Sequence, residues 1–201
     1  AGNTCLGRNA GDSVTTSPNN TIVGFNAGIA IVDGSGGNVC IGNAAGDALT
    51  TGTNNIIIGD TADAAAVDSA QSVTLGNGTI SALRCQVQTI SSLSDRRDKK
   101  DIKDLDYGLD FINTLRPVKF TWNMRSGDKV DIKEVGFIAQ DLDESQNKFD
   151  AEEYLQLVLK DNPDKLEAAM GKLLPSMVKA MQELSAQVDE LKNEIKTLKG
   201  K

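Results

Sequence analysis

The 201-residue chain carries 21 basic and 28 acidic side chains, a net charge of −7, and no histidine at all. The missing imidazole excludes Ser-His-Asp and Cys-His catalysis and most catalytic zinc sites, so any nucleophile here needs another base. An acidic excess without a basic stripe argues against nucleic-acid or anionic-membrane partners, and no apolar run approaches the roughly 20 residues of a membrane span.

The three cysteines show no C-x-x-C spacing, so they read as free thiols in a reducing compartment rather than a metal or redox site. Neither a metal nor a cofactor is expected. Ala1 opens straight into a repeat, so no signal peptide is expected and the chain reads as a fragment of something longer.

Gly7, Gly24, Gly42, Gly59 and Gly76 recur at intervals of 17, 18, 17 and 17 residues, within NTCLGRNAG, NTIVGFNAG, NVCIGNAAG, NIIIGDTAD and SVTLGNG. Asn3, Asn20, Asn38 and Asn55 each stand four residues before their glycine. Such a period predicts one short strand per unit, with turns between, in a solenoid-like stack. The recurring glycine is expected to take positive φ or to let another backbone approach. Cys5 and Cys40 fill the slot held by Ile22 and Ile57, and so read as small buried hydrophobes.

Ile56-Ile57-Ile58 is apolar on both faces of its strand, and one narrow coil cannot cover both. Identical chains wound three-fold would cover them. The repeat resembles stacked-repeat shafts of phage tail fibres and the heads of trimeric bacterial adhesins, against the alternative of a monomeric solenoid.

From Thr79 to Leu93 the repeat fades into an alternating run that predicts a strand. Leu105, Leu109, Ile112 and Leu115 then predict an amphipathic helix ended by Arg116-Pro117. Val118 to Trp122 reads as a strand, Ser126-Gly127-Asp128 as a turn, and Val135 to Ile138 as a strand running into the short helix AQDLDES. Tyr154 to Leu159 reads as a further strand and Asn162-Pro163-Asp164 as a turn.

Leu174, Met177, Met181, Leu184, Val188, Leu191, Ile195 and Leu198 follow in steps of 3 and 4, an a/d seam. Pro175 is tolerated in the first turn of that helix. The seam predicts a coiled coil, or else a helix packed on its own domain. Valine and isoleucine at a with leucine at d favour two strands taken alone, whereas a fibre demands three.

The fold class expected is therefore mixed: a glycine-rich repeat β shaft of trimeric stacked repeats over 1–93, a small α+β domain over 94–172, and a C-terminal coiled-coil helix over 173–201.

Between the halves lies Leu93-Ser94-Asp95-Arg96-Arg97-Asp98-Lys99-Lys100-Asp101-Ile102. Without histidine, a neutral lysine can activate a serine, provided desolvation or nearby positive charge lowers its pKa. Lys100 and the arginines favour this for Lys99, while Asp98 and Asp101 oppose it. A spacing of five places the two side chains about 140° apart on a helix and on opposite faces of a strand. Ser94 and Lys99 meet only if the loop folds back or another subunit supplies the partner. The other reading makes Ser94, Asp95 and Asp98 a helix cap beside a solvated basic face.

The order S-D-x-R-x-K-x-D-I, an amphipathic helix ending LRPVKFTW, GFIAQDLDE, and LLPSMVKAMQEL opening the seam resembles the C-terminal intramolecular chaperone auto-processing domain. That domain occurs on phage tail spikes, tail fibres and neck appendages, including endosialidases, and on a membrane-tethered eukaryotic transcription factor. The resemblance spans Ser94 to about Leu198. It implies a chaperone that holds three chains while the fibre winds, then cuts itself off.

Carried across, Ser94 is the nucleophile, Lys99 its general base, Leu93-Ser94 the scissile bond, and Asp95 a residue that orients the site. Asp98 stands where members often carry an apolar residue, and the YLQLVLKDNPDKLEAAMGKLL segment also departs from the pattern.

The resemblance implies a viral tail fibre or appendage assembled as a homotrimer in the host cytoplasm, without cofactor or membrane insertion, whose mature shaft meets a host surface receptor. A structural attachment fibre whose chaperone never cleaves is the alternative. A tethered regulatory protein fits the glycine repeat poorly, and no recurring acidic pair supports carbohydrate cleavage.

Overall fold

The computed structural model describes residues 2–32, 34–87 and 89–200; Ala1 and Lys201, the outer limits of the expected domains, lie outside the described residues, as does Gln88 within the strand expected over 79–93. The chain divides into two compact units, one of residues 1–84, 122–132 and 161–165, the other of 85–121, 133–160 and 166–201.

Five three-residue strands build the first unit: β1 (Thr4–Leu6), β2 (Thr21–Val23), β3 (Val39–Ile41), β4 (Ile56–Ile58) and β5 (Val73–Leu75). They form one parallel sheet in sequence order, with Cys5, Ile22, Cys40, Ile57 and Thr74 in register. Each repeat is thus one coil of a β-solenoid.

In β2, β3 and β4 the middle strand residue points inward, and Ile22, Cys40 and Ile57 are fully buried against Ala27, Ile31, Ala45, Leu49 and Ala62 from the corners. The flanking residues point the other way. Leu6, Ile41, Ile56, Ile58, Val73 and Leu75 are all exposed, so a single coil covers one face of its sheet and leaves the other bare.

Two stacks of identical residues hold the coils in register. Gly24 has φ +141° and Gly42 φ +137°, and a Cβ on either would run into the carbonyl oxygen of the next glycine in the stack, Gly42 or Gly59. Both reasons for glycine therefore operate at once.

The asparagines form a buried ladder. Asn20 N–H donates to Asn3 Oδ1 (2.8 Å), Asn38 N–H to Asn20 Oδ1 (2.9 Å), and Asn55 N–H to Asn38 Oδ1 (3.0 Å). Their amides also donate fourteen residues onward, Asn3 to Ser17 O, Asn38 to Gly52 O and Asn55 to Ser69 O. Asn20 Nδ2 has no partner among the described residues. Its coil is the 18-residue one, one residue longer than the others.

The second unit packs α1 (Leu109–Ile112), α2 (Ala139–Lys148) and α3 (Glu152–Leu155) around Phe111, Leu142, Ala151, Leu155, Leu157 and Leu173. Phe149 meets Phe111 edge-on at 5.4 Å. Gln146 is fully buried and spans the core, its Oε1 accepting Leu157 N–H and its Nε2 donating to Asp143.

Two small sheets complete the chain: β6 (Val118–Asn123) with β7 (Val130–Gly136), and β8 (Val158–Leu159) antiparallel to β9 (Glu167–Ala168). A 3-10 turn at Met170–Leu173 leads into α4 (Leu174–Lys199), 26 residues with Pro175 in its first turn. α4 buries Ser176 and Ala180, while all eight seam residues stay exposed, so the seam does not pack on its own domain.

Five expectations change. Cys5 is exposed rather than buried, because β1 is the edge strand and, among the described residues, no coil stacks on its outer side. The strand read over Val135 to Ile138 lies earlier in the chain, as β7, and ends at Gly136. The described residues of 79–93 form no strand, because no other strand runs beside them to take their backbone hydrogen bonds. The helix read from Leu105 to Leu115 contracts to α1, beginning after Gly108. The strand read from Tyr154 to Leu159 splits into α3 and β8 at Gln156, which turns left-handed with φ 45°.

Candidate functional site

The segment between shaft and globule is bare. Ile90 and Leu93 are 95% and 96% exposed, so the Leu93-Ser94 peptide bond lies in an exposed stretch.

One residue later the chain folds back. Asp95, in extended geometry, caps a 3-10 turn over Arg96–Asp98, its Oδ1 accepting Arg97 N–H at 2.8 Å. The cap of this turn is Asp95, not Ser94. Two backbone bonds close it, Asp98 N–H to Asp95 O and Lys99 N–H to Arg96 O, both 3.2 Å.

Ser94 enters the turn and Lys99 leaves it, and the two ends meet: Lys99 Nζ lies 2.5 Å from Ser94 Oγ. A spacing that neither a helix nor a strand can bridge is closed by a single tight turn. Both side chains are exposed.

Asp95 holds Arg97. Arg97 Nη2 lies 2.7 Å from Asp95 Oδ2, and Nε lies 3.0 and 3.2 Å from the two carboxylate oxygens. The guanidinium and the Arg97 N–H keep the Asp95 carboxyl below its ordinary range, and Asp95 in return raises Arg97. The turn buries no residue, and Asp98 and Lys100 are also exposed.

Sequence reasoning missed the part played by Arg97. An aspartate cap with an arginine two positions on was the available signal.

The globule behind the segment is braced by charge. Lys160 bridges Asp143 at 2.7 Å and Glu152 at 2.5 Å, which raises its own pKa. Burial pushes Asp143 up, but hydrogen bonds from Lys160 and Gln146 outweigh it and leave that carboxyl below its usual range. Arg116 pairs with Asp141 at 2.9 Å.

Among the described residues no group of three metal-ligating side chains converges, and no helix is long and apolar enough to cross a membrane.

Residues 94–151 match the family described as the chaperone of endosialidase, Peptidase_S74. No curated protein and no solved structure matches the chain. The matched stretch begins at Ser94 and takes in the 3-10 turn, α1, the β6–β7 sheet and α2. The match supports an endosialidase-type intramolecular chaperone domain in this part of the chain.

Proposed function

We propose that the chain is the C-terminal part of a viral tail fibre or appendage whose chaperone trimerises and folds the β shaft, then releases itself by Ser-Lys autoproteolysis at Leu93-Ser94. The division falls into a shaft over 1–93, a chaperone over 94–172 and a trimerising helix from 173. One observation carries the cleavage reading: Lys99 Nζ stands on Ser94 Oγ at the residue where the family match begins.

The chemistry follows from that contact. With Lys99 neutral, Nζ takes the Ser94 hydroxyl proton while Oγ bonds to the Leu93 carbonyl carbon. The Leu93–Ser94 C–N bond then breaks, and the proton passes to the departing Ser94 nitrogen. Water hydrolyses the resulting ester, leaving a Leu93 carboxylate and restoring the Ser94 hydroxyl. The net change is one water added and one peptide bond lost, in a single turnover.

Two bare apolar stripes support the homotrimer. The outer sheet face runs along the shaft, and the α4 seam carries eight exposed apolar residues. Strand pairing that depends on other chains is slow and prone to misregister. A trimerising helix raises the local concentration of three shafts, and cutting afterwards makes assembly irreversible. The released shaft would remain on the virion, facing a host surface receptor.

The test is the intact mass of wild-type and Ser94→Ala protein over time. A wild-type pair of fragments summing to the chain plus one water, broken at Leu93-Ser94 and absent from the variant, is the expected outcome. Wild type that stays whole after long alkaline incubation overturns the cleavage. It would leave a structural attachment fibre with a non-cleaving trimerisation chaperone, a reading that the exposure of both dyad residues in one chain also favours.

A further inference from the structure

The turn that joins Ser94 to Lys99 has no hydrophobic support. None of its residues is buried, and its two backbone bonds are long, so local side-chain bonds must decide whether it persists. An isolated turn fixes several dihedrals for one or two hydrogen bonds and is unfavourable on its own. Exposed ion pairs contribute little in general, the exceptions being bidentate arginine–carboxylate pairs of good geometry. Asp95 and Arg97 form such a pair and add a backbone cap to it.

We propose that Arg97 is a positioning residue for the cleavage: by engaging both Asp95 oxygens it locks the 3-10 turn and keeps the carboxylate from capturing Lys99. This inference rests on the autoproteolytic reading of Ser94 and Lys99.

The second half of the idea comes from competition. Asp95 lies four residues before Lys99 and one after Ser94, at the start of the same turn, so a carboxylate freed of Arg97 becomes a competing partner for the ammonium. Every donor of Arg97 that reaches Asp95 occupies a lone pair Lys99 would otherwise use. The remaining charges of the segment are Arg96, Asp98, Lys100 and Asp101, and all are exposed. Removing Arg97 therefore has two consequences. The turn loosens, which lowers the rate at every pH, and Lys99 pairs with Asp95, which holds it protonated to higher pH.

The experiment follows cleavage of the full chain by intact mass from pH 6 to 10 in wild type, Arg97→Ala, Arg97→Lys, and Arg97→Ala combined with Asp95→Asn. Arg97→Ala should cut about three- to tenfold more slowly at neutral pH, with the alkaline rise in rate displaced upward by about half a unit. Lysine keeps the charge but not the fork, so Arg97→Lys should recover the pH profile and only part of the rate.

In the double variant, neutral asparagine cannot hold the ammonium, and the profile should return to its wild-type position while the rate stays low. A loosened turn alone would lower the rate without moving the profile. Wild type that cuts, with an Arg97→Ala profile that stays in place, overturns the clamp and leaves the dyad standing. Wild type that never cuts overturns both.

Discussion

Glu183 lies 74 residues beyond Leu109, yet its Oε2 accepts the Leu109 backbone N–H at 2.6 Å. One carboxylate on α4 thereby caps the first turn of α1. The residue before, Gly108, leaves no room for a Cβ beside that carboxylate. Glu183→Ala should lower the stability of the globule by about 1–2 kcal/mol. Gly108→Ala should cost a similar amount, because its methyl displaces the same carboxylate. The double variant should cost little more than either alone, since both remove one bond. Chemical denaturation of the four proteins gives the cycle.

The glycine stack makes a sharper demand. At Gly42 a side chain meets both a φ that L residues avoid and the backbone of the next coil. Gly42→Ala should destabilise the shaft by about 3 kcal/mol or more, seen as a fall in its melting temperature. Gly171 has open space around its Cβ position, and Gly171→Ala should be neutral or slightly stabilising.

Within the asparagine ladder the coils are not equivalent. Asn38 supplies Oδ1 to Asn55 N–H and its amide to Gly52 O, whereas among the described residues Asn20 supplies only the first kind of bond. Asn38→Ala should cost about 2–3 kcal/mol and Asn20→Ala roughly 1 kcal/mol less, because the latter also removes an orphaned buried donor. Thermal unfolding of the two variants measures the difference.

Cys40 is buried in the shaft, and burial, with Asp63 adding to it, pushes its thiol up to about 11 from 9.0. Cys5 and Cys85 are exposed. Alkylation of native protein at pH 8 should modify those two and spare Cys40 until the shaft unfolds.

The linkage runs in one direction. Below pH 9 both folded and unfolded thiols are protonated and the contribution of Cys40 is fully present. Between pH 9 and 11 only the unfolded chain gives up the proton, so stability declines by about 2–3 kcal/mol in total. A Cys40→Ala reference should lack this part of the alkaline decline.

The α4 seam supplies a test of assembly. Leu184 is half exposed at the centre of an apolar stripe in a single chain. Leu184→Asp should convert the expected trimer to monomer by light scattering, while Asp189→Ala on the same helix should leave the assembly intact. A wild-type monomer at micromolar concentration would contradict the homotrimer.

The periodic parts of this chain were legible because each repeat restates one local rule. Strand positions, the stacked glycine and the inward Ile22, Cys40 and Ile57 recur with the repeat, and α4 follows from its 3–4 spacing of apolar residues. Those patterns need no distant partner to be read.

Where a distant partner decides, the letters fell short. Residues 79–93 alternate as a strand should but have no neighbour to bond, and residues 105–108 fall outside α1 because Gly108 and Glu183 set where that helix begins. Gln156 breaks the run from Tyr154 by turning left-handed between α3 and β8.

At the candidate site the sequence determined the residue types and the absence of histidine. A spacing of five between Ser94 and Lys99 is compatible with separation or contact. Only the folded turn, closed by Asp95 and Arg97, brings the hydroxyl and the amine to 2.5 Å. Composition limits which chemistry is available, whereas contact depends on backbone dihedrals that a spacing in sequence does not specify.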